Sequence, residues 1–245
     1  MPYKNIISVA AAASLAGAVL SLDRTAAFQV MVSRPIVAAP IIGYLLGGPE
    51  AGLLAGITLE LLFIGDPPVG AHVPVHETGL SVLVTVLTIA FLEVSGTGGN
   101  DAARRGVVTA MPALTVALMI GIPVSLLYQK ADTLARRVNI RFYRRASAAL
   151  ESGRPVCLMR ENLKGLLSFF AASAISLFIT VLPLTYAVRI VFSGVTLHIG
   201  HLYPAFAGCL ILGAASAYNA ASAGRGAIIF TASGIAVTAI EVIAG

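Results

Sequence analysis

"SRPIVAAPIIGYLLGGPEAGLLAGITLELLFIGDPPVGAHVPVHET", residues 33–78, holds two short apolar runs followed by a kinked segment rich in ionisable groups. The runs are "IVAAPIIGYLLG" (36–47) and "AGLLAGITLELLFIG" (51–65), parted only by Gly48-Pro49-Glu50. A spanning helix needs about 20 apolar residues, whereas a stretch of about 10–14 reads as a re-entrant or interfacial piece. Two such pieces joined by a tight Gly-Pro turn predict a hairpin that enters the membrane and returns. Irregular backbone at that depth is tolerated only inside protein or beside a watery cavity. Gly43 and Gly47 stand four apart, as do Gly52 and Gly56, a spacing that lets helix backbones approach closely.

The rest of the chain agrees with a lipid solvent. Of 245 residues 58% are hydrophobic and 11% charged, against about 25% charged in a soluble domain. Mean hydropathy is +0.91. Apolar segments fall at about 6–22, 36–47, 51–64, 79–95, 107–128, 166–192, 202–223 and 226–244. The first resembles a signal peptide in its positive start and apolar middle, but it reads better as a retained helix, because the rest of the chain is itself a membrane domain. The fold expected is an all-α integral membrane protein, a multi-span helical bundle with a re-entrant helical hairpin and an amphipathic cytoplasmic loop helix. Three regions are expected: a front membrane block (1–128), a basic loop (129–164) and a back membrane block (165–245).

Orientation is set by charge. Residues 130–164 carry nine Lys/Arg against Asp132, Glu151 and Glu161, which puts that loop in the cytoplasm. Apolar spans on both sides make nucleic-acid binding a poor reading of the basic run. The loop is helix-compatible as far as Ser152-Gly153, and both an amphipathic helix near the headgroups and a solvated linker fit it. Span 107–128 then ends inside, 166–192 starts inside, and "FSGVTLHIGH" (192–201) faces outside. Arg104 and Arg105 in the turn 96–106 would face outside against their charge. Cys157 and Cys209 show neither disulfide nor zinc spacing. "GTGGN" (96–100) is followed by Asp101 and not by Lys-Ser/Thr, so it reads as a turn and not as a nucleotide loop.

Charged groups at membrane depth are rare and face a cavity or one another. Glu60 lies in "GITLELLFIG" with apolar neighbours on both sides. A carboxylate there costs about 2.5–3.5 kcal/mol unless a partner, a proton or a substrate offsets it. Asp66 precedes Pro67-Pro68, which end any helix and free carbonyls. His72, His76 and Glu77 come soon after. With Asp66 they form a set that could ligate a metal. Pro74 between the histidines argues against a helical pair, and a hydrogen-bonding substrate or proton site fits better. Asp23 and Gln29 come after the first span; Arg24 beside Asp23 also permits a plain interfacial ion pair. Tyr218 and Asn219 could join a site or act as helix–helix glue.

The stretch 33–78 resembles component IIC of the mannose/fructose/sorbose family of the phosphoenolpyruvate-dependent sugar phosphotransferase system. Arg34-Pro35, Leu46-Gly47, Gly52, Gly56, Leu59-Glu60, Gly65 and Gly70-Ala71 carry the likeness, with Leu22-Asp23 and Gln29 upstream and "YQKAD" (128–132) downstream. Its strong part covers about residues 22–80. Departures are Pro68 where the family tends to have Asn, and Pro74-Val75-His76-Glu77 where it tends to have Ala-Pro-Asp. The resemblance implies a sugar-translocating subunit in a bacterial inner membrane. It would work with a membrane subunit IID and soluble IIA and IIB components, and assemble as a trimer. Phosphate would travel on the soluble partners, leaving this chain a non-catalytic transport subunit with no assigned catalytic residue, cofactor or metal. On that analogy Asp23, Gln29, Glu60, Asp66, His72, His76 and Glu77 would line the sugar site. Two other readings stay open. One is a proton-coupled secondary transporter that titrates Glu60 or Asp66. The other is a non-transporting regulatory scaffold that binds a soluble partner.

Overall fold

The computed structural model describes residues 5–27, 29–63, 75–94, 102–192 and 208, without the side chains of 102–109 and 192. Every regular element among them is an α-helix: α1 (Ile6–Thr25), α2 (Pro35–Leu45), α3 (Pro49–Phe63), α4 (Glu77–Val94), α5 (Ala102–Glu151) and α6 (Leu158–Phe192). Among the described residues four helices are long and apolar enough to cross a membrane: α1, α4, the part of α5 from Ala110 and α6 to Val191. The segments expected at 202–223 and 226–244, with Cys209, Tyr218 and Asn219, lie outside the described residues.

α4 is the centre of the bundle. Every residue from Thr78 to Phe91 is buried. Its hydroxyls turn back onto their own helix, Ser81 to the Glu77 carbonyl and Thr88 to that of Val84, both at 2.8 Å. α1 approaches through small residues, Ala10, Ala13, Ser14, Gly17, Ala18 and Ser21, which recur at helical spacing on its buried side. Gly17 sits against Val82 of α4 and Leu177 of α6; a Cβ there would lie 2.7 Å from a Val82 methyl.

The two short apolar runs form the expected hairpin. Gly47, at φ 77°, closes α2. The Gly48 N–H donates to the Gly43 carbonyl at 2.8 Å and the Gly47 N–H to that of Tyr44 at 3.2 Å. That pair of bonds satisfies the last helical carbonyls and needs a left-handed residue at its corner. Beyond the turn the helices touch backbone to backbone, Gly52 on Ala39 and Gly43, Gly56 on Pro35. The tip, at Gly48, meets Ile89 of α4, while both open ends lie at the start of α4. At 1.5 Å per residue α2 is only about 16 Å long, roughly half a hydrocarbon core. The hairpin thus descends beside α4 and comes back.

α5 runs unbroken through position 128 for 50 residues, about 75 Å. The basic stretch 129–151 is therefore the continuation of the apolar one. Its end matches the sequence expectation: Gly153 has φ 70°, and the Arg154 and Gly153 N–H groups donate to Ala149 and Leu150. α6 returns antiparallel. Tyr128 bonds Thr180 at 2.5 Å, the Asn139 amide accepts the Ser168 hydroxyl, and the Arg136 guanidinium lies 5.9 Å from the Phe169 ring centre. Past Tyr128 the two helices stay paired at least as far as Asn139 and Ser168.

Candidate functional site

The α1–α2 turn, the last turn of α3 and the first turn of α4 converge at one end of the bundle. The turn bends sharply: Gln29 and Met31 both have left-handed backbones, at φ 54° and 67°. Side-chain-bearing residues hold that conformation at a cost, so something must fix it. Asp23 does. Buried near the end of α1, its two carboxylate oxygens accept the Val30 N–H at 2.8 Å and the Ser33 N–H at 3.1 Å. The Thr78 hydroxyl donates to the Ser33 carbonyl at 2.8 Å and ties the same turn to α4.

That anchoring aims Arg34, the residue before α2, at two carboxylates. Its Nη2 and Nε lie 2.6 and 2.9 Å from Glu60 Oε1, and its Nη1 lies 3.4 Å from Glu77 Oε2. Glu60 Oε2 also accepts the Ile36 N–H at 3.3 Å. The three side chains are 31%, 18% and 12% exposed, so the group is wet on one side only. A guanidinium facing two carboxyl groups sets hydrogen-bond donors and acceptors side by side.

His76 stands beside this group as the cap of α4. Its Nδ1 accepts the Gly79 N–H at 3.0 Å, which requires an unprotonated nitrogen, and its ring meets Tyr128 edge-on at 6.2 Å. Burial is the main force holding its pKa down, to about 4, with the Arg24 and Arg136 cations adding to it and Asp132 opposing. Gly79 fits because a Cβ would lie 2.9 Å from the Tyr128 ring.

Of the residues expected from sequence, Glu60 and Glu77 meet through Arg34. Asp23 is adjacent but engaged with backbone, His76 is buried as a cap, and Gln29 is exposed in the turn. Asp66 and His72 lie outside the described residues. Among the described residues no three His, Cys, Asp or Glu gather in a way that could hold a metal. Sequence reasoning misses Arg34 as a site residue. A signal for it exists, because a carboxylate in an apolar run demands a partner, and Arg34 opens the other arm of the same hairpin.

The chain matches the family model described as the sorbose-specific IIC component of the phosphotransferase system over residues 5–202. A sorbose-specific EIIC component of Lacticaseibacillus casei is 28% identical over 123 residues, 50% of this chain and 38% of that protein. A mannose-specific EIIC component of Escherichia coli is 25% identical over 149 residues, 61% of this chain and 47% of the relative. A sorbose-specific EIIC component of Klebsiella pneumoniae is 25% identical over 157 residues, covering 62% and 52%. The matches thus span about half the length of these relatives or less.

Proposed function

The chain belongs to the sorbose-specific IIC family of the sugar phosphotransferase system, and from that premise we propose that it is the membrane subunit that carries a hexose-like sugar inward for phosphorylation. The sugar binds where the hairpin mouth meets α4. Glu60 and Glu77 accept hydrogen bonds from its hydroxyls, and Arg34 donates to them. Hexose hydroxyls need paired donors and acceptors in a partly dry pocket, and a missing partner there is costly. Asp23 and Gln29 shape the turn that carries Arg34. Asp66, His72 and His76 belong to the segment that completes the pocket. A soluble IIB component receives the sugar on the cytoplasmic face, IIA recharges IIB, and a IID subunit completes the membrane complex.

The observation that supports this most is the Arg34–Glu60–Glu77 cluster at the open end of a hairpin too short to span. The experiment is uptake of labelled hexose by vesicles holding this chain and IID, supplied with IIA, IIB and phosphoenolpyruvate. Sugar phosphate should appear inside, and Glu60→Ala should abolish it. Uptake of free sugar without any phosphocarrier would replace this reading with a proton-coupled transporter.

A further inference from the structure

At the end of the bundle opposite the hairpin mouth, a charged pair ties α4 to α6. Arg189 Nη2 lies 3.1 Å from Glu93 Oε2, and the two side chains are 30% and 27% exposed. On α4, Glu93 stands about 24 Å from Glu77, so the proposed sugar site has no part in this pair. The charge rule that puts the basic run in the cytoplasm gives this end to the outer leaflet. Here an open cavity of about 590 Å³ lies between the start of α1 and the end of α6. Its walls change character along the helix axis. Ile6, Ile7, Leu182 and Pro183 make one part apolar, while Asn5, Tyr186 and Arg189 bring an amide, a hydroxyl and a guanidinium to the outer part. Around the cavity α6 exposes Ile179, Ile190 and Val191, a surface suited to hydrocarbon.

A slot with apolar walls and a cation at its outer end is complementary to an amphiphile, and phospholipid is the amphiphile that surrounds it. The charges narrow the choice of headgroup. A guanidinium donates to phosphate oxygens with matched geometry. Glu93 beside it repels an anionic headgroup and attracts an ammonium. A headgroup carrying both a phosphate and a primary ammonium therefore matches the pair charge for charge. A quaternary ammonium has no N–H to donate to the carboxylate, and a glycerol headgroup has no cation.

We propose that the cavity between α1 and α6 is a binding site for phosphatidylethanolamine. The phosphate accepts hydrogen bonds from Arg189, the ammonium donates to Glu93, and the upper part of an acyl chain lies against Ile7, Leu182 and Pro183. The bound lipid joins the start of α1 to the α4–α6 pair.

The test uses the full chain, purified in detergent and washed free of lipid. It is then mixed with equal amounts of dioleoyl phosphatidylethanolamine, phosphatidylglycerol and phosphatidylcholine, and native mass spectrometry counts what stays bound. The ethanolamine lipid should be retained roughly tenfold or more over either competitor. Arg189→Gln should cut retention of all three by a similar factor, whereas Glu93→Gln should keep a lipid bound and lose the preference. Both changes break the ion pair. Ile7→Trp therefore supplies a variant that fills the apolar part of the cavity and leaves the pair intact, and it should lower retention too. Equal retention of the three lipids by the parent, or a preference for either competitor, overturns the proposal. Parent-like retention by Arg189→Gln or Ile7→Trp, in samples that elute as the parent does, overturns it as well. So does an unchanged preference in Glu93→Gln. A parent that holds no phospholipid would give the cavity to protein, a second copy or a membrane partner, and would also overturn it.

Discussion

Gly52→Ala tests the hairpin at its tightest point. A Cβ at Gly52 would lie 2.5 Å from the Ala39 carbonyl oxygen, 2.9 Å from the Gly43 Cα and 3.1 Å from the Ala39 carbonyl carbon. Ordinary contact begins near 3.4 Å, so the arms must part by about 0.9 Å at that level. All three obstacles are backbone, so no rotamer change relieves them. Overpacking of this kind costs about 1–3 kcal/mol, and immovable neighbours put this site at the upper end. Alanine returns roughly 0.5–1 kcal/mol in helix propensity, which leaves about 2 kcal/mol of loss. For a chain of this size that is a fall of roughly 4–8 °C in apparent melting temperature. The same parting would carry Glu60 away from Arg34, so affinity for sugar should drop as well. Gly165→Ala is the matched control, since its Cβ would meet nothing nearer than 3.8 Å. Thermal unfolding of both variants in one detergent, after a check that each elutes as a single species, tests the expectation. Gly52→Ala melting at or above the parent would refute the backbone-contact reasoning.

Other contacts make equally definite demands. Asp23→Ala should cost roughly 2–3 kcal/mol, because two backbone donors lose a charged acceptor, and limited proteolysis should then cut the 29–33 turn. Arg34→Gln and Glu60→Gln, measured singly and together by thermal unfolding, should couple by about 1 kcal/mol; simple additivity would mean the pair contributes nothing. The His76 pKa is lower folded than unfolded, so its contribution is intact above about 6.5 and lost progressively as pH falls toward about 4. His76→Asn keeps a cap acceptor without titrating, and its pH–stability profile should be flatter across that window. Tyr128→Phe should cost only about 0.5–1.5 kcal/mol, because the Thr180 hydroxyl can still donate to the carbonyls of Ser176 or Leu177; chemical unfolding of the two proteins would measure it.

The site is only partly legible in the sequence. Composition and segment length are enough for an all-helical membrane chain and for the short hairpin, because lipid forces every backbone polar group to be satisfied locally. Glu60 is legible for a related reason, as a charge whose placement has to be offset. What Glu60 touches is not, because Arg34 lies 26 residues away and meets it only when α2 folds back on α3. The family resemblance implies a sugar-lining Asp23, and the structure engages both its oxygens with backbone N–H groups. Proximity in sequence groups His76 with His72, yet the buried His76 ring caps α4.

The basic run after Lys130 shows the same divide. Its charge assigns it a side of the membrane, since topology depends on counts of Lys and Arg near spans. Charge does not show whether the run lies flat or stands away, because both arrangements suit one amphipathic pattern. Only the unbroken course of α5, braced by Tyr128–Thr180 and Asn139–Ser168, shows that the run continues the preceding apolar helix and pairs with α6. Hydropathy and glycine spacing are local properties and survive in a string of letters. A pairing between helices depends on the angle and depth at which they pack, and those exist only in three dimensions.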